Sequence, residues 1–246
     1  MNDSEARAAS GWVKICGISD AQTAIAVAQQ SPSAIGLNFF AKSPRSVTAT
    51  QAAEIVQQLG GLSPTLRLSI SPPVPTPIGL FVNHSRDEIE TIADLTDLSA
   101  IQLHGDESPE FLRQLHERHP DWHILKAFRV GDSLRPIAEF VAECQRLSVP
   151  LAGCLLDARV AGSFGGTGTV APWELIAIEY DTTNWPPLIL AGGLTPDNVA
   201  EAIRIVRPWG VDTASGVESS PGVKDITLLA RFVAEARRAF AIGSQR

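Results

Sequence analysis

Short apolar runs alternate along the chain with segments whose apolar residues recur at helical spacing, and the alternation begins at residue 12. "WVKICGI" (12–18) is a run of the first kind. "SDAQTAIAVAQQ" (19–30) follows, with Ser19 or Asp20 placed to cap a helix and Ala24, Ile25 and Ala28 on one face. The pair then repeats. Runs at 34–40, 77–83, 98–105, 122–128, 150–158, 187–193 and 210–216 predict further strands; stretches at 48–59, 85–96, 108–119, 133–147, 172–179, 196–206 and 225–240 predict further helices. Continuous apolar runs bounded by turn residues suit parallel strands covered on both faces by crossover helices. Eight such units in 246 residues predict an α/β protein, a single-domain (β/α)8 TIM barrel. A doubly wound open sheet shares the periodicity, and the count favours the barrel.

Two stretches stand outside this rhythm. Residues 1–11, "MNDSEARAASG", are small and polar and read as a flexible N-terminal extension ahead of a barrel domain at 12–246. Residues 60–77 carry five prolines in a connection from helix to strand, the side of a barrel away from catalysis, and read as an exposed insertion.

The net charge of −7, with no segment gathering Lys and Arg into a stripe, argues against nucleic acid as a partner, so an anionic ligand has to be held locally. No apolar run approaches the roughly 20 residues of a membrane span, and no membrane partner is expected. The three cysteines are an odd number without metal-ligand spacing, and the N-terminus lacks the pattern of a secretory leader; a reduced, cytoplasmic protein is expected.

In a barrel, ligands meet the C-terminal ends of the strands. The predicted first strand ends in Lys14 and Cys16, the second leads into "AKSPRSV" with Arg45, the fourth ends in His104 and the sixth in Asp157. The seventh and eighth run into "AGGL" and "ASGVES". Gly192 and Gly193 with Ser215 and Gly216 can bring backbone N–H groups up to an oxyanion. Either loop alone reads equally well as a tight turn; both together, after strands seven and eight, favour phosphate. A lone apolar-strand cysteine is usually a small buried hydrophobe, but a thiol at a barrel mouth near Lys14 can serve as a base. Cys144 and Cys154 are assigned to packing. Asp157 is a candidate general acid or a turn aspartate. Arg45 offers a fork for a carboxylate or is simply solvated. His104 touches a ligand or holds a strand end, with even weight. Lys126 and Asp212 are unassigned and read as barrel-interior polar residues. "GGTGT" (165–169) lacks the lysine of a nucleotide phosphate loop and reads as a flap after strand six.

With these residues in place, the chain resembles the phosphoribosylanthranilate isomerases of tryptophan biosynthesis. The matching stretches are "VKICGI", "SPRSV", "GLFVN", "IQLHGDE", "LLDA", "GGTGT", "LAGGLTPDNV" and "GVDTASGVESSPGVKD", in order through most of the chain. The resemblance implies an Amadori rearrangement of a small-molecule phosphoribosyl substrate, without metal or organic cofactor, by a monomer or homodimer. Carried over by position, it makes Cys16 the general base and Asp157 the general acid. Arg45 becomes the ligand of the anthranilate carboxylate, and the two glycine loops hold the phosphate. Lys14 and His104 are possible substrate contacts. "VDTASG" departs from the more usual "VDVSSG", and a threonine follows "GGTG"; these touch the phosphate loop and the flap, and leave the acid and base in place. The other phosphosugar barrels considered would want lysine and glutamate, or paired aspartates, in the catalytic positions. A non-catalytic phosphate binder would have no need of both Cys16 and Asp157.

Overall fold

The computed structural model describes residues 11–60, 74–158 and 172–243. Eight strands, β1 (Trp12–Cys16), β2 (Ala34–Asn38), β3 (Thr76–Phe81), β4 (Ala100–Leu103), β5 (His123–Arg129), β6 (Gly153–Asp157), β7 (Leu188–Ala191) and β8 (Gly210–Thr213), form a closed parallel barrel in chain order. Outside it run α1 (Ala21–Ala28), α2 (Ala49–Gly60), α3 (Arg86–Thr96), α4 (Pro109–Arg118), α5 (Arg135–Arg146), α6 (Trp173–Glu179), α7 (Val199–Val206) and α8 (Ile226–Gly243). The barrel closes where β1 pairs with β8, with Lys14 opposite Asp212.

Local chemistry sets the boundaries. Asp20 caps α1, accepting from the Thr23 amide at 2.8 Å. Ser85 and Glu88 form a reciprocal capping box on α3. Ser108 caps α4 ahead of Pro109, whose missing N–H costs nothing in the first turn.

Strand alternation divides the interior into two shells. Val13, Ile15, Ile35, Leu37, Phe81, Ile101, Leu103, Ile124, Leu156, Leu190 and Val211 join the cluster shared with the helices. Ala34, Ile78, Ala100, Leu125, Ala127, Leu155, Ile189 and Ala191 fill the barrel itself. At the end where the strands begin, Trp12 stacks on Trp209 with ring centroids 5.3 Å apart. The helical stripe Leu229, Phe232, Val233, Ala236 and Phe240 seats α8, whose Phe240 lies against Gly11 so closely that a side chain there would collide with it.

The sequence reading and the structure differ after β8. A strand to residue 216 was expected; β8 ends at Thr213, Ser215–Val217 form a 3-10 turn, and β9 (Glu218–Ser220) and β10 (Val223–Lys224) make a small antiparallel hairpin. The N-terminal extension up to residue 10, residues 61–73 of the proline-rich insertion and the "GGTGT" segment lie outside the described residues.

Phe232 is fully buried under α8, so Phe232→Ala is expected to lose about 3–5 kcal/mol in denaturant unfolding. A loss below about 1 kcal/mol would mean that α8 is not seated on the core as described.

Candidate active site

On β1, Val13 and Ile15 face the helices, so Lys14 and Cys16 face into the barrel. Cys16 is opposite Gly36 in the β1–β2 register, and a Cβ on Gly36 would lie 2.6 Å from the Cys16 sulfur. Glycine at that position is what makes room for the thiol. The strand stops immediately afterwards: Gly17 takes a φ of +80°, and the amides of Gly17 and Ile18 both donate to the Gly36 carbonyl, at 2.9 and 3.0 Å. Glycine adopts that left-handed conformation without a Cβ penalty.

Beneath Cys16, Lys14 has no accessible surface, and its ammonium donates to Asp212 at 2.9 Å. Burial pulls the Lys14 ammonium down, but the charge of Asp212, with Cys16 in its field, more than offsets that and holds it above the usual lysine value. Lys14, a possible substrate contact on the sequence, is thus enclosed, and its charge acts from below.

His104 follows β4 on the same inward side as Ala100 and Gln102. Gln102 is fully buried, and its amide nitrogen lies 3.0 Å from His104 Nδ1. The buried Gln102 amide thus fixes the orientation of the His104 ring from below. Burial first, and then the Lys14 charge, push the imidazole below its ordinary value, against the opposing pull of Asp212 and Asp157; it is neutral at pH 7. Asp157, at the end of β6, shares the inward face of Leu155 and is among the charges the His104 ring feels.

Arg45 is delivered by a loop built on Ser43. The Ser43 hydroxyl accepts from Asn38 Nδ2 and from the Arg45 amide, each at 3.1 Å, and the Val47 amide returns to the Asn38 carbonyl at 2.8 Å. The Arg45 guanidinium meets Glu218: Nε donates to Oε1 at 2.7 Å and Nη2 to Oε2 at 2.6 Å. Lys224 donates to the same Oε1 at 2.8 Å and to the Ala214 carbonyl at 2.9 Å. Cys16 lies in the fields of Arg45 and Lys224 as well as Lys14.

The glycine loops after β7 and β8 are in contact. Gly192 and Gly193 have φ of +91° and +71°, and the space where a Gly193 side chain would go is open. Thr213 Oγ1 donates to the Leu194 carbonyl at 2.7 Å, and a Cβ on Gly216 would fall 1.8 Å from that same oxygen. Backbone sets this distance, so only glycine fits.

The structure therefore brings Cys16, His104, Asp157 and Asp212 to one inward surface, with Arg45 and the glycine loops around it. Asp212 is interior, as expected. Lys126 is not: it alternates with the inward Leu125 and Ala127, donates to Glu107 at 3.1 Å and to the Gly105 carbonyl at 2.7 Å, and lies 5.9 Å from the Phe140 ring of α5. An apolar run alone does not say which parity faces in. Gly36, Gln102 and Glu218 are site residues the sequence reading missed. For Gln102 and His104 the two-residue spacing on one strand was a usable signal. Among the described residues, no group of three or more His, Cys, Asp or Glu side chains is placed to hold a metal ion, and no helix is long and apolar enough to cross a membrane. A cavity of about 550 Å³ opens beside His104 and Arg129; a larger one, about 780 Å³, lies around Trp209 between α7 and α8, at the end remote from these groups.

A closed parallel barrel with a thiol, an imidazole and a carboxylate converging at its C-terminal mouth is the layout of a (β/α)8-barrel enzyme. Residues 13–235 match the family model described as N-(5'phosphoribosyl)anthranilate (PRA) isomerase. The N-(5'-phosphoribosyl)anthranilate isomerase of Trichlorobacter lovleyi is 41% identical over 229 residues, covering 92% of this chain and 98% of that one. The crystal structure of the phosphoribosyl anthranilate isomerase of Thermotoga maritima superposes with a TM-score of 0.75 at 32% identity, over 93% of this chain and 99% of that one. A structure of such an isomerase in complex with reduced 1-(o-carboxyphenylamino)-1-deoxyribulose 5-phosphate has a TM-score of 0.72 at 31% identity, with coverage of 93% and 99%. The chain belongs to the phosphoribosylanthranilate isomerase family, whose members are intramolecular isomerases of tryptophan biosynthesis.

Removing one partner of the buried Lys14–Asp212 pair strands the other. Lys14→Met is expected to cost about 3–5 kcal/mol of unfolding free energy, and Lys14→Met with Asp212→Leu to regain most of it. A single variant as stable as the wild type would contradict the pairing.

Proposed function

We propose that this chain converts N-(5-phosphoribosyl)anthranilate to 1-(2-carboxyphenylamino)-1-deoxyribulose 5-phosphate, with Asp157 as general acid and Cys16 as general base. Asp157 gives its proton to the furanose ring oxygen, and the C1–O bond breaks as the anthranilate nitrogen lone pair forms the C1=N Schiff base. Cys16 then takes the C2 proton, leaving an enolamine. Loss of the C2 hydroxyl proton and protonation of C1 complete the ketone, so the reaction is redox-neutral overall.

The observation that carries this reading is the setting of Cys16: an inward thiol in the fields of three cations, Lys14, Arg45 and Lys224, at the mouth that also receives Asp157. A thiol turned into the barrel at this point is placed to take a proton from a sugar carbon bound over the mouth. His104, neutral and held by Gln102, offers its other ring nitrogen for a hydrogen bond with the substrate's sugar hydroxyls. The phosphate is held by the Gly192–Gly193 and Ser215–Gly216 loops, and the anthranilate carboxylate by Arg45. The ligand of the solved relative, a reduced form of the proposed product, supports the substrate assignment. All three cysteines are free thiols, in keeping with a reducing cytoplasm.

Cys16→Ser and Asp157→Asn each delete one proton transfer and are expected to lower kcat by about 10²–10⁴ while the circular dichroism spectrum is retained. A folded variant turning over near the wild-type rate would remove that residue from its role.

A further inference from the structure

Glu218 has no part in the proton transfers, yet it is bonded directly to Arg45 and accepts four hydrogen bonds in all. Its side chain is 3% exposed, against 21% for Arg45. Oε1 accepts from Arg45 Nε and Lys224 Nζ, and Oε2 accepts from Arg45 Nη2 and, at 3.3 Å, from the Gly222 amide. Burial pushes this carboxyl up, but the Arg45 and Lys224 hydrogen bonds outweigh it and hold it below the usual carboxylate range. It is ionised, and its partners are charge-assisted.

A guanidinium has two forked edges and five N–H groups. Glu218 occupies the side edge, taking Nε–H and one Nη2–H, and leaves the end edge, one Nη1–H and the second Nη2–H. The stem of Arg45 runs over Gly17, where a Cβ would lie 2.5 Å from its Cδ, so the arginine is pinned from below at the residue after Cys16. Lys224, held by Glu218, in turn ties to the Ala214 carbonyl next to Ser215 and Gly216. The Gly222 backbone packs on the Pro44 carbonyl of the Arg45 loop.

We propose that Glu218 is a positioning residue that aims Arg45, so that the substrate carboxylate is bound end-on through Nη1 and Nη2 at a fixed separation from the phosphate loop. This rests on the isomerase reading above and adds to it the residue and the guanidinium edge that select for a carboxylate-bearing amine. The short β9–β10 hairpin is what carries Glu218 back beneath Arg45. Without the carboxylate beneath it, the guanidinium on its flexible stem has no fixed direction and binding loses the cost of ordering it.

The test compares the anthranilate substrate with its aniline counterpart, which lacks only the carboxylate, on wild type and Glu218→Gln. Glutamine keeps the shape, but its NH₂ group faces an N–H donor on one side. The expected result is a rise in KM for the anthranilate substrate of about tenfold with kcat within about threefold. The wild-type preference for the carboxylate-bearing substrate, as a ratio of kcat/KM values, is expected to shrink by the same factor. An unchanged KM, or an equal loss on both substrates, would overturn the proposal and leave Glu218 a staple between loops. If Glu218→Gln does not fold, Arg45→Ala is compared with Arg45→Ala/Glu218→Gln, which removes both charges. Equal KM values support action through Arg45, and a further rise in the double variant overturns it. Wild type inactive on the anthranilate substrate would overturn the isomerase reading, and this proposal with it; wild type active with Glu218→Gln unaffected overturns this proposal alone.

Discussion

The contact on which the rest depends is the buried pair of Lys14 and Asp212. It joins the first strand to the last, where the barrel has to close, through two residues 198 positions apart that face each other in register. A charge of either sign alone would be too costly in that interior, and the two together fix one register of closure. The same pair sets the electrostatics one layer above. The ammonium lies beneath Cys16 and lowers the proton affinity of His104, so the group that seals the fold also conditions the mouth.

A second group of charges surrounds the thiol from the side. Arg45 and Lys224 come from opposite ends of the sequence and converge on one carboxylate, Glu218. The positive charge near Cys16 is thus held by buried, mutually constraining partners rather than by mobile surface side chains. Such an arrangement is already ordered when charge moves during a reaction, which is how a protein site gains over water. The glycines serve the same end by absence: Gly36 admits the thiol, Gly17 admits the Arg45 stem, and Gly216 lets two loops meet at the Leu194 carbonyl.

Much of this was legible in the sequence. Eight apolar runs separated by helical stretches indicated the barrel, and the rule that ligands meet strand ends selected Cys16, His104 and Asp157 from the polar residues. What stayed hidden depends on closure and parity. Asp212 was unassigned because its partner is at the other end of the chain, and Lys126 was placed on the wrong side because an unbroken apolar run does not reveal which residues face in. The β9–β10 hairpin has strands of three and two residues, too short to show a period. Glu218 was therefore not singled out, and nothing local indicated that Arg45 would find a permanent partner before a transient one.

The central claim is that Cys16, held in this field, takes the proton from the sugar carbon. It is tested most directly by following that carbon. Substrate labelled with ¹³C at C2 of the ribosyl group is mixed with excess enzyme, and the carbon spectrum is recorded for wild type and Cys16→Ala. The account predicts that wild type moves the C2 resonance from the alcohol to the ketone region while Cys16→Ala leaves it in place. A folded wild type that leaves C2 an alcohol carbon, or a Cys16→Ala variant that forms the ketone as fast, would contradict it.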